Sequence, residues 1–104
     1  KTVELFTSSP YYQINKNRRG IAFDKPVRGS AGGPTCFNCA SYSSFGHSGF
    51  TGTLTWADPE NGFVYVFLSN RVYPDAENKK LITMNIRTRI QRVFIDAIEK
   101  AEKK

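Results

Sequence analysis

The chain has 104 residues, which is enough for one domain with a modest core. No stretch approaches the roughly 20 apolar residues that span a bilayer, so we predict no membrane span. The formal net charge is +6, but the basic residues are scattered along the sequence and are not interleaved with a run of aromatic residues. We therefore predict no binding to nucleic acid.

The first half of the chain predicts little regular structure. Gly20 to Phe23 is a short apolar segment that we predict as a strand, closed by an Asp-Lys-Pro sequence. Residues 27–44 are rich in glycine, proline and serine and predict a long loop. A loop of that length is uncommon in a compact domain unless it is functional or partly disordered.

Two cysteines, Cys36 and Cys39, form a Cys-x-x-Cys motif inside this loop. Such a motif serves as a redox pair or as half of a zinc site. A tetrahedral zinc needs four ligands, and the chain has only one histidine and no further cysteine. We therefore predict no metal site and no cofactor, and we favour incidental thiols or a local disulfide. A small redox protein remains an alternative function.

The second half predicts a β-hairpin over residues 50–68. Phe50 to Ala57 alternates, with Phe50, Leu54 and Trp56 on one face. An Asn-Gly pair then allows a tight turn, and Phe63 to Leu68 is apolar on both faces. Such a strand is usually covered on both sides. Because one helix covers only one side, we expect part of the protein to be absent and the exposed sheet face to self-associate.

From about residue 85 the hydrophobic period changes to that of a helix, which we predict over residues 85–102. Seven apolar residues recur at spacings of three and four and form what we call the apolar stripe: Ile86, Ile90, Val93, Phe94, Ala97, Ile98 and Ala101. We expect this stripe to be the buried face of the helix.

The sequence resembles a known family in three places: His47-Ser48-Gly49, Trp56-x-Asp58-Pro59-Glu60 and Ser69-Asn70-Arg71. Together they resemble the C-terminal part of the serine β-lactamase-like fold, which includes penicillin-binding proteins, class C β-lactamases and related esterases. The closest resemblance is to the domain that some bacterial envelope proteins carry after a glycoside hydrolase family 3 domain.

That resemblance implies a fold class and a location. The fold is α/β of the α+β type, with antiparallel strands and a C-terminal amphipathic helix, and residues 1–104 form a partial domain of it. The implied location is the bacterial periplasm or cell envelope. Trp56 is expected in the core.

Three motifs build the active site of that family, and this chain matches only one. Ser-x-x-Lys carries the nucleophile and base, Tyr-x-Asn or Ser-x-Asn transfers protons, and Lys-Thr-Gly on an edge strand binds substrate. By resemblance His47 replaces the lysine, Ser48 the threonine and Gly49 the glycine, so these three are the implied substrate-binding residues. The backbone N–H of Phe50 is the implied oxyanion-hole donor.

His47 departs from the family pattern in its charge. A lysine is cationic at neutral pH, whereas a histidine without a perturbing neighbour is charged only below about pH 6.5. Strong selection for a β-lactam carboxylate is therefore in doubt, and an ester or peptide substrate fits better.

The other two motifs are missing from this sequence, because no serine is followed three residues later by lysine and no tyrosine begins Tyr-x-Asn. Ser48 and His47 do not form a dyad either, since adjacent strand residues point to opposite faces. The implied function is the C-terminal portion of a serine hydrolase, inactive alone, whose partner is the rest of the parent chain. The alternative is a non-catalytic, basic binding module of the cell envelope.

Overall fold

The structure is a computed structural model that describes residues 1–27, 33–36 and 38–102. Within these residues the elements, in chain order, are α1 (Thr2–Thr7), α2 (Tyr12–Asn15), β1 (Phe45–Ser48), β2 (Leu54–Asp58), β3 (Phe63–Phe67), α3 (Lys80–Thr83) and α4 (Ile86–Glu102). The three strands form one antiparallel sheet in the order β1-β2-β3. An antiparallel sheet with a C-terminal helix confirms the predicted fold class.

The first strand of the predicted hairpin begins later than predicted, whereas the second begins at Phe63 as predicted and ends one residue early. Phe50 was predicted to start the first strand, but β2 begins at Leu54, and residues 49–53 form a turn after β1. The turn closes through the Gly49 N–H, which donates to the Thr53 carbonyl at 2.9 Å. Gly52 takes a φ of +96° within it. Because a positive φ suits glycine, Gly52 breaks the alternating pattern into a turn.

Alternation of side chains gives the sheet two different faces. We call the side that carries Leu54, Trp56 and Tyr65 the inner face, because these residues form a buried cluster with Ile90 of α4 packed against it. We call the opposite side, which carries Val64, Val66 and their neighbours, the outer face. Val64 and Val66 are 73% and 55% exposed, so only one face of the sheet is covered by the described residues.

The segment from Gly20 to Phe23 does not form the predicted strand. Its ends close a turn in which the Gly20 N–H donates to the Phe23 carbonyl at 3.0 Å, and Ala22 has a φ of 68°. Only the next residue, Asp24, reaches the sheet, through an isolated antiparallel bridge to Gly46. Four apolar residues were too short a pattern to distinguish a strand from a tight turn.

The buried face of α4 agrees with the prediction at Ile90, which packs against the inner cluster, but differs elsewhere. Gln91 and Ile95 are its buried residues, whereas Val93 and Phe94 of the apolar stripe are 66% and 57% exposed. Hydrogen bonds from the predicted loop explain why Gln91 is buried. Gln91 Oε1 accepts hydrogen bonds from Thr35 Oγ1 at 3.0 Å and from a backbone N–H one residue later at 3.1 Å. These bonds turn a polar residue toward the interior.

The same loop is fastened by Cys36 and Cys39, which form a disulfide and are buried against Ile95, with Phe63 packed beside them. Residues 28–32 and 37 of the predicted loop lie outside the described residues, as do residues 103 and 104. Among the helices of the described residues, none has the length and apolar character needed to cross a bilayer.

Candidate functional site

The candidate site lies where β1 ends. His47 and Ser48 are its last two residues, paired with Thr55 and Leu54 of β2. Because Leu54 lies on the inner face, Ser48 faces inward and His47 faces outward. The structure thus brings the two residues to one strand end but directs their side chains to opposite sides of the sheet.

His47 is exposed, and its ring is oriented by the backbone. Its Nδ1 lies 2.7 Å from the carbonyl oxygen of Ser48. Since a carbonyl only accepts, Nδ1 donates this hydrogen bond, and Nε2 of a neutral ring is left as an acceptor. The imidazole therefore presents an acceptor to the solvent side of the site.

Ser48 lines a cavity of about 270 Å³ on the inner face, together with Arg18 and Arg87. Arg87 is held in place because its Nη1 donates to the carbonyls of Gly52 and Thr53 at 3.4 and 3.2 Å. The lining thus combines a hydroxyl with two arginines, of which Arg18 also lies 4.0 Å from the Asp24 carboxylate.

The turn after β1 is held from its other side by the segment that follows β3. The Thr51 carbonyl accepts from the Arg71 N–H at 2.9 Å and from Ser69 Oγ at 3.1 Å. With Arg87 on the inner side, the turn is fixed from two directions. A Cβ added to Gly49 would collide with Thr53 Oγ1, so the tight turn has no room for a side chain there.

Phe50 sits at the exposed tip of this turn and is 75% exposed. Its ring lies under the Arg71 guanidinium, 4.9 Å from ring centre to Cζ, a distance at which a cation and an aromatic face attract. Among the hydrogen bonds of the described residues, the Phe50 backbone N–H donates to no partner. The N–H is therefore free to donate to a ligand.

Arg71, the last residue of the Ser69-Asn70-Arg71 sequence, lies close to this turn. Its Nη1 donates to the Ala76 carbonyl at 3.2 Å, and its Nε is buried without a hydrogen-bond partner. Arg71 thus links the tip of the turn at Phe50 to the polar connection before α3.

Two residues that matter for the site were missed by sequence reasoning. One is Asp58, which is 1% exposed and accepts hydrogen bonds from Ser41 Oγ and Ser41 N–H at 2.6 and 2.8 Å. Burial acts to raise the pKa of Asp58, but these bonds and those from Glu60 and Asn61 together lower it below its ordinary value. Asp58 is therefore an ionised structural anchor. Its place in an Asp-Pro turn was a signal that it would bond to the backbone.

The other missed residue is Gln91, described above, for which the sequence carries no signal. Trp56, by contrast, was expected in the core and is 1% exposed. Its ring lies against Gly46, where a Cβ would collide with the Trp56 ring and the Thr55 carbonyl. Gly46 therefore lets β1 pass directly over the tryptophan.

The described residues contain no group of three histidine, cysteine, aspartate or glutamate side chains placed to hold a metal ion. Cys36 and Cys39 are joined to each other and are 6% and 5% exposed. In this state they are neither free thiols nor metal ligands.

Comparison with known proteins identifies a family model and several curated proteins that match this chain. The family model described as Beta-lactamase matches residues 2–86, which include the whole sheet and the turn after β1. No solved structure matches the chain at a significant level.

Among curated proteins, a putative D-alanyl-D-alanine carboxypeptidase of Escherichia coli (strain K12) is 37% identical over 82 residues, covering 77% of this chain and 18% of the relative. The corresponding protein of Salmonella paratyphi B is 44% identical over 48 residues, covering 46% of this chain and 11% of the relative. The chain thus spans less than a fifth of the length of the curated relatives it matches. Since the family model covers most of its residues, the chain belongs to the beta-lactamase family.

Proposed function

We propose that the chain forms the substrate-binding edge of a serine hydrolase of the β-lactamase and penicillin-binding protein type. The reaction is acyl transfer or hydrolysis of an ester, amide or β-lactam. The observation that carries the proposal is the free backbone N–H of Phe50 at the end of an edge strand, directly after His47, Ser48 and Gly49.

Phe50 is the proposed oxyanion-hole donor. When a nucleophile attacks an acyl carbon, negative charge develops on the carbonyl oxygen, and an N–H about 3 Å away stabilises it. The effect depends on a donor that is already in place. The bonds from Arg71 and Arg87 to the carbonyls of residues 51–53, and the bond from the Gly49 N–H to the Thr53 carbonyl, support that condition, because they fix the turn that carries the donor.

Ser48, Gly49 and His47 are the proposed substrate-binding residues. Gly49 has no side chain between the substrate and the strand, so an extended substrate can lie against the backbone. Ser48 offers a hydroxyl beside the guanidinium groups that line its cavity, and these support binding of an anionic group. His47 offers its Nε2 from the outer side.

The substrate class that we favour is a peptide with a terminal carboxylate. Two observations support it: the arginines beside Ser48, and the relatives' name of putative D-alanyl-D-alanine carboxypeptidase. The histidine in place of lysine removes a permanent cation from the motif, so recognition of the carboxylate falls to these arginines.

The nucleophile and its base must come from outside these residues, because the sequence has no Ser-x-x-Lys. We propose that another part of a longer protein supplies them and packs against the outer face, where Val64 and Val66 are exposed. The family also supports a place in the periplasm or cell envelope. Attachment to a glycoside hydrolase family 3 domain stays a prediction.

A first test uses the 104-residue chain alone, incubated with a chromogenic β-lactam and a short-chain aryl ester. We expect no turnover, since an oxyanion donor without a nucleophile gives at most residual catalysis. Turnover that copurifies with the chain would contradict the proposed division of the active site.

The second test compares His47→Ala with Thr55→Ala in the longer protein that carries this chain. Thr55 is the exposed cross-strand neighbour of His47 on the same face. We expect the His47 variant to lose about 10- to 100-fold in acylation rate, the effect of one positioned polar group, with an unchanged melting temperature. Equal acylation rates in both variants would show that His47 has no substrate-binding role.

A further inference from the structure

The Ser69-Asn70-Arg71 sequence, one of the three places where the chain resembles the β-lactamase family, meets the turn after β1 at a single backbone atom. The Thr51 carbonyl oxygen accepts the Arg71 backbone N–H at 2.9 Å and Ser69 Oγ at 3.1 Å. A carbonyl oxygen has two lone pairs, so these two donors satisfy it. The segment after β3 therefore acts on the peptide group that joins Thr51 to Gly52.

The peptide groups of this turn are hydrogen-bonded in series. The N–H of the group that joins Thr51 to Gly52 donates to the Gly49 carbonyl at 3.0 Å. That carbonyl belongs to the next peptide group, whose N–H is the free N–H of Phe50. We call this series, which runs from the Arg71 N–H through two peptide groups to the Phe50 N–H, the peptide relay.

Two donors enter the peptide relay at the Thr51 carbonyl, and only one of them is a side chain. The Arg71 N–H is part of the backbone and is present whatever residue stands at that position. Ser69 Oγ is the side-chain donor, so a substitution of Ser69 can remove it and leave every backbone bond of the relay in place.

We propose that Ser69 is a positioning residue that strengthens the Phe50 N–H as a donor through the peptide relay. A peptide group whose carbonyl accepts a hydrogen bond becomes a stronger donor at its N–H, because both bonds polarise the group in the same direction. The effect passes through two groups to an N–H that is free to donate to a ligand. The inference rests on the proposed function, since Phe50 acts in catalysis only if it is the oxyanion-hole donor.

The surroundings of Gly52 keep the peptide relay aligned. Gly52 has a φ of +96°, and a Cβ at this position would collide with Ser69 Oγ and with Leu81 Cδ2. Ser69 therefore lies directly against the central residue of the relay. The carbonyl of Gly52 points to the other side, where it accepts from Arg87 Nη1 at 3.4 Å. These contacts hold the Gly52 peptide groups in one orientation.

The test compares three variants of the longer protein that carries this chain. Ser69→Ala removes the hydroxyl donor, and Ser69→Thr retains a hydroxyl. Ser8→Ala is the matched control, because Ser8 Oγ also donates to a backbone carbonyl, that of Leu5 at 2.8 Å, at the end of α1.

The first readout is the amide spectrum of protein labelled with nitrogen-15 glycine and phenylalanine. In Ser69→Ala we expect the Gly52 and Phe50 amide signals to move upfield, with the larger shift at Gly52, which is one peptide group closer to the lost donor. The Gly62 amide, which donates to Asp58 outside the relay, should not move. Ser69→Thr and Ser8→Ala should keep the wild-type signals. Phe50→Leu retains the backbone N–H and assigns the phenylalanine signal.

The second readout is turnover of a short-chain aryl ester by the same proteins. We expect kcat to fall about two- to eightfold in Ser69→Ala with KM unchanged, because the oxyanion forms only in the transition state. This range applies a gain of about 10–30% per bond to a donor that is worth about 10²- to 10³-fold in rate. Ser69→Thr should restore the wild-type kcat.

The two readouts separate failure of this inference from failure of the proposed function. Unchanged Gly52 and Phe50 signals in Ser69→Ala would overturn the relay, whatever the rates. The expected shifts with an unchanged kcat would overturn the role of Ser69 in catalysis and that of Phe50 as the oxyanion-hole donor. A loss of kcat that threonine does not restore, with a lowered melting temperature, would show that Ser69 acts only by packing and would also overturn the proposal.

Discussion

The two edges of the sheet differ in how readily another strand can pair with them. The β1 edge is closed at Gly46 by a bridge from Asp24, with backbone bonds of 2.7 and 3.1 Å in the two directions. Arg19 pairs with the Asp24 carboxylate at 2.9 Å and adds charge to this edge. The β3 edge has no bridge from the described residues and no charge in the strand itself.

Because of this difference, the β1 edge suits binding of a small ligand and the β3 edge suits pairing with another strand. A bridged and charged edge resists pairing with another strand, and beyond the bridge the hydrogen bonds of the described residues leave the Phe50 N–H without a partner. A neutral, apolar edge favours pairing over its whole length. We infer that the β1 edge serves the substrate and that the β3 edge is where further residues of a longer protein pair with the sheet.

The largest loss of stability is expected at Gly46, where β1 passes over Trp56. In Gly46→Ala the new Cβ would collide with the Thr55 carbonyl and the Trp56 ring, neither of which can move freely. We expect a loss of about 3 kcal/mol or more in the free energy of unfolding, measured by urea denaturation. That loss would also remove the bridge that closes the β1 edge.

Gly62→Ala is the matched control. No atom lies within 4 Å of the position that its Cβ would occupy, and only its φ of 69° opposes a side chain. We expect a cost of about 1 kcal/mol. Equal losses in the two variants would mean that β1 does not pass closely over Trp56.

Asp58→Asn should cost about 2 kcal/mol, because the buried carboxylate accepts several hydrogen bonds and an amide cannot replace both oxygens. Because folding lowers the pKa of Asp58, the free energy of unfolding should decrease as the solution becomes acidic. Its contribution is fully present above the unfolded-state pKa of about 4, and it is lost as the pH falls through the lower folded value. Urea titrations at several pH values measure this loss.

The Asn variant should lack that acid-dependent component. Asp75→Asn provides a control at an exposed aspartate whose side chain accepts a hydrogen bond from the Glu77 N–H. We expect a change below about 0.5 kcal/mol for the control. A wild-type acid profile in Asp58→Asn would show that this carboxylate is not the anchor of the loop.

Replacing Cys36 and Cys39 together by alanine should cost about 2 kcal/mol, the chain-entropy value for closing a loop of this length. The variant should stay folded, since Gln91 still holds Thr35. Denaturation with and without reductant measures the effect. Stability that is independent of both reductant and substitution would mean that the disulfide does not fasten the loop.

The smallest loss of stability is expected at Asp24, the charged residue that bridges the β1 edge. Asp24→Ala removes a half-exposed ion pair and leaves the backbone bridge, so we expect a loss of about 0.5 kcal/mol. Urea denaturation measures this loss. A loss of several kcal/mol would show that the Asp24 carboxylate, and not the backbone bridge, holds this edge.

The sequence predicted the parts of the fold that local patterns encode. The antiparallel strands, the C-terminal helix and the buried Trp56 follow from alternation and helical period. The position of His47 to Phe50 at a strand end came from the family resemblance. The two-sided apolar character of Phe63 to Leu68 correctly indicated a strand that this chain covers on one side only.

The features that the sequence did not predict depend on contacts between residues that lie far apart in the chain. The buried face of α4 is set by Thr35 and Cys36, more than fifty residues away, which bind Gln91. A hydrophobic pattern identifies the face that should be buried, but not whether this chain or a second one buries it. For the same reason the start of β2 was misplaced, since the turn before it is held by Arg71 and Arg87.

Amide hydrogen exchange along the sheet tests the contrast between the two edges most directly. We predict that the Gly46 amide of β1 exchanges slowly, because it donates to the Asp24 carbonyl, whereas the β3 amides not bonded to β2 exchange rapidly. The Phe50 amide should also exchange rapidly, because its N–H stays free for a ligand. Protection at Phe50, or a Gly46 amide that exchanges as fast as the outer amides of β3, would contradict the account.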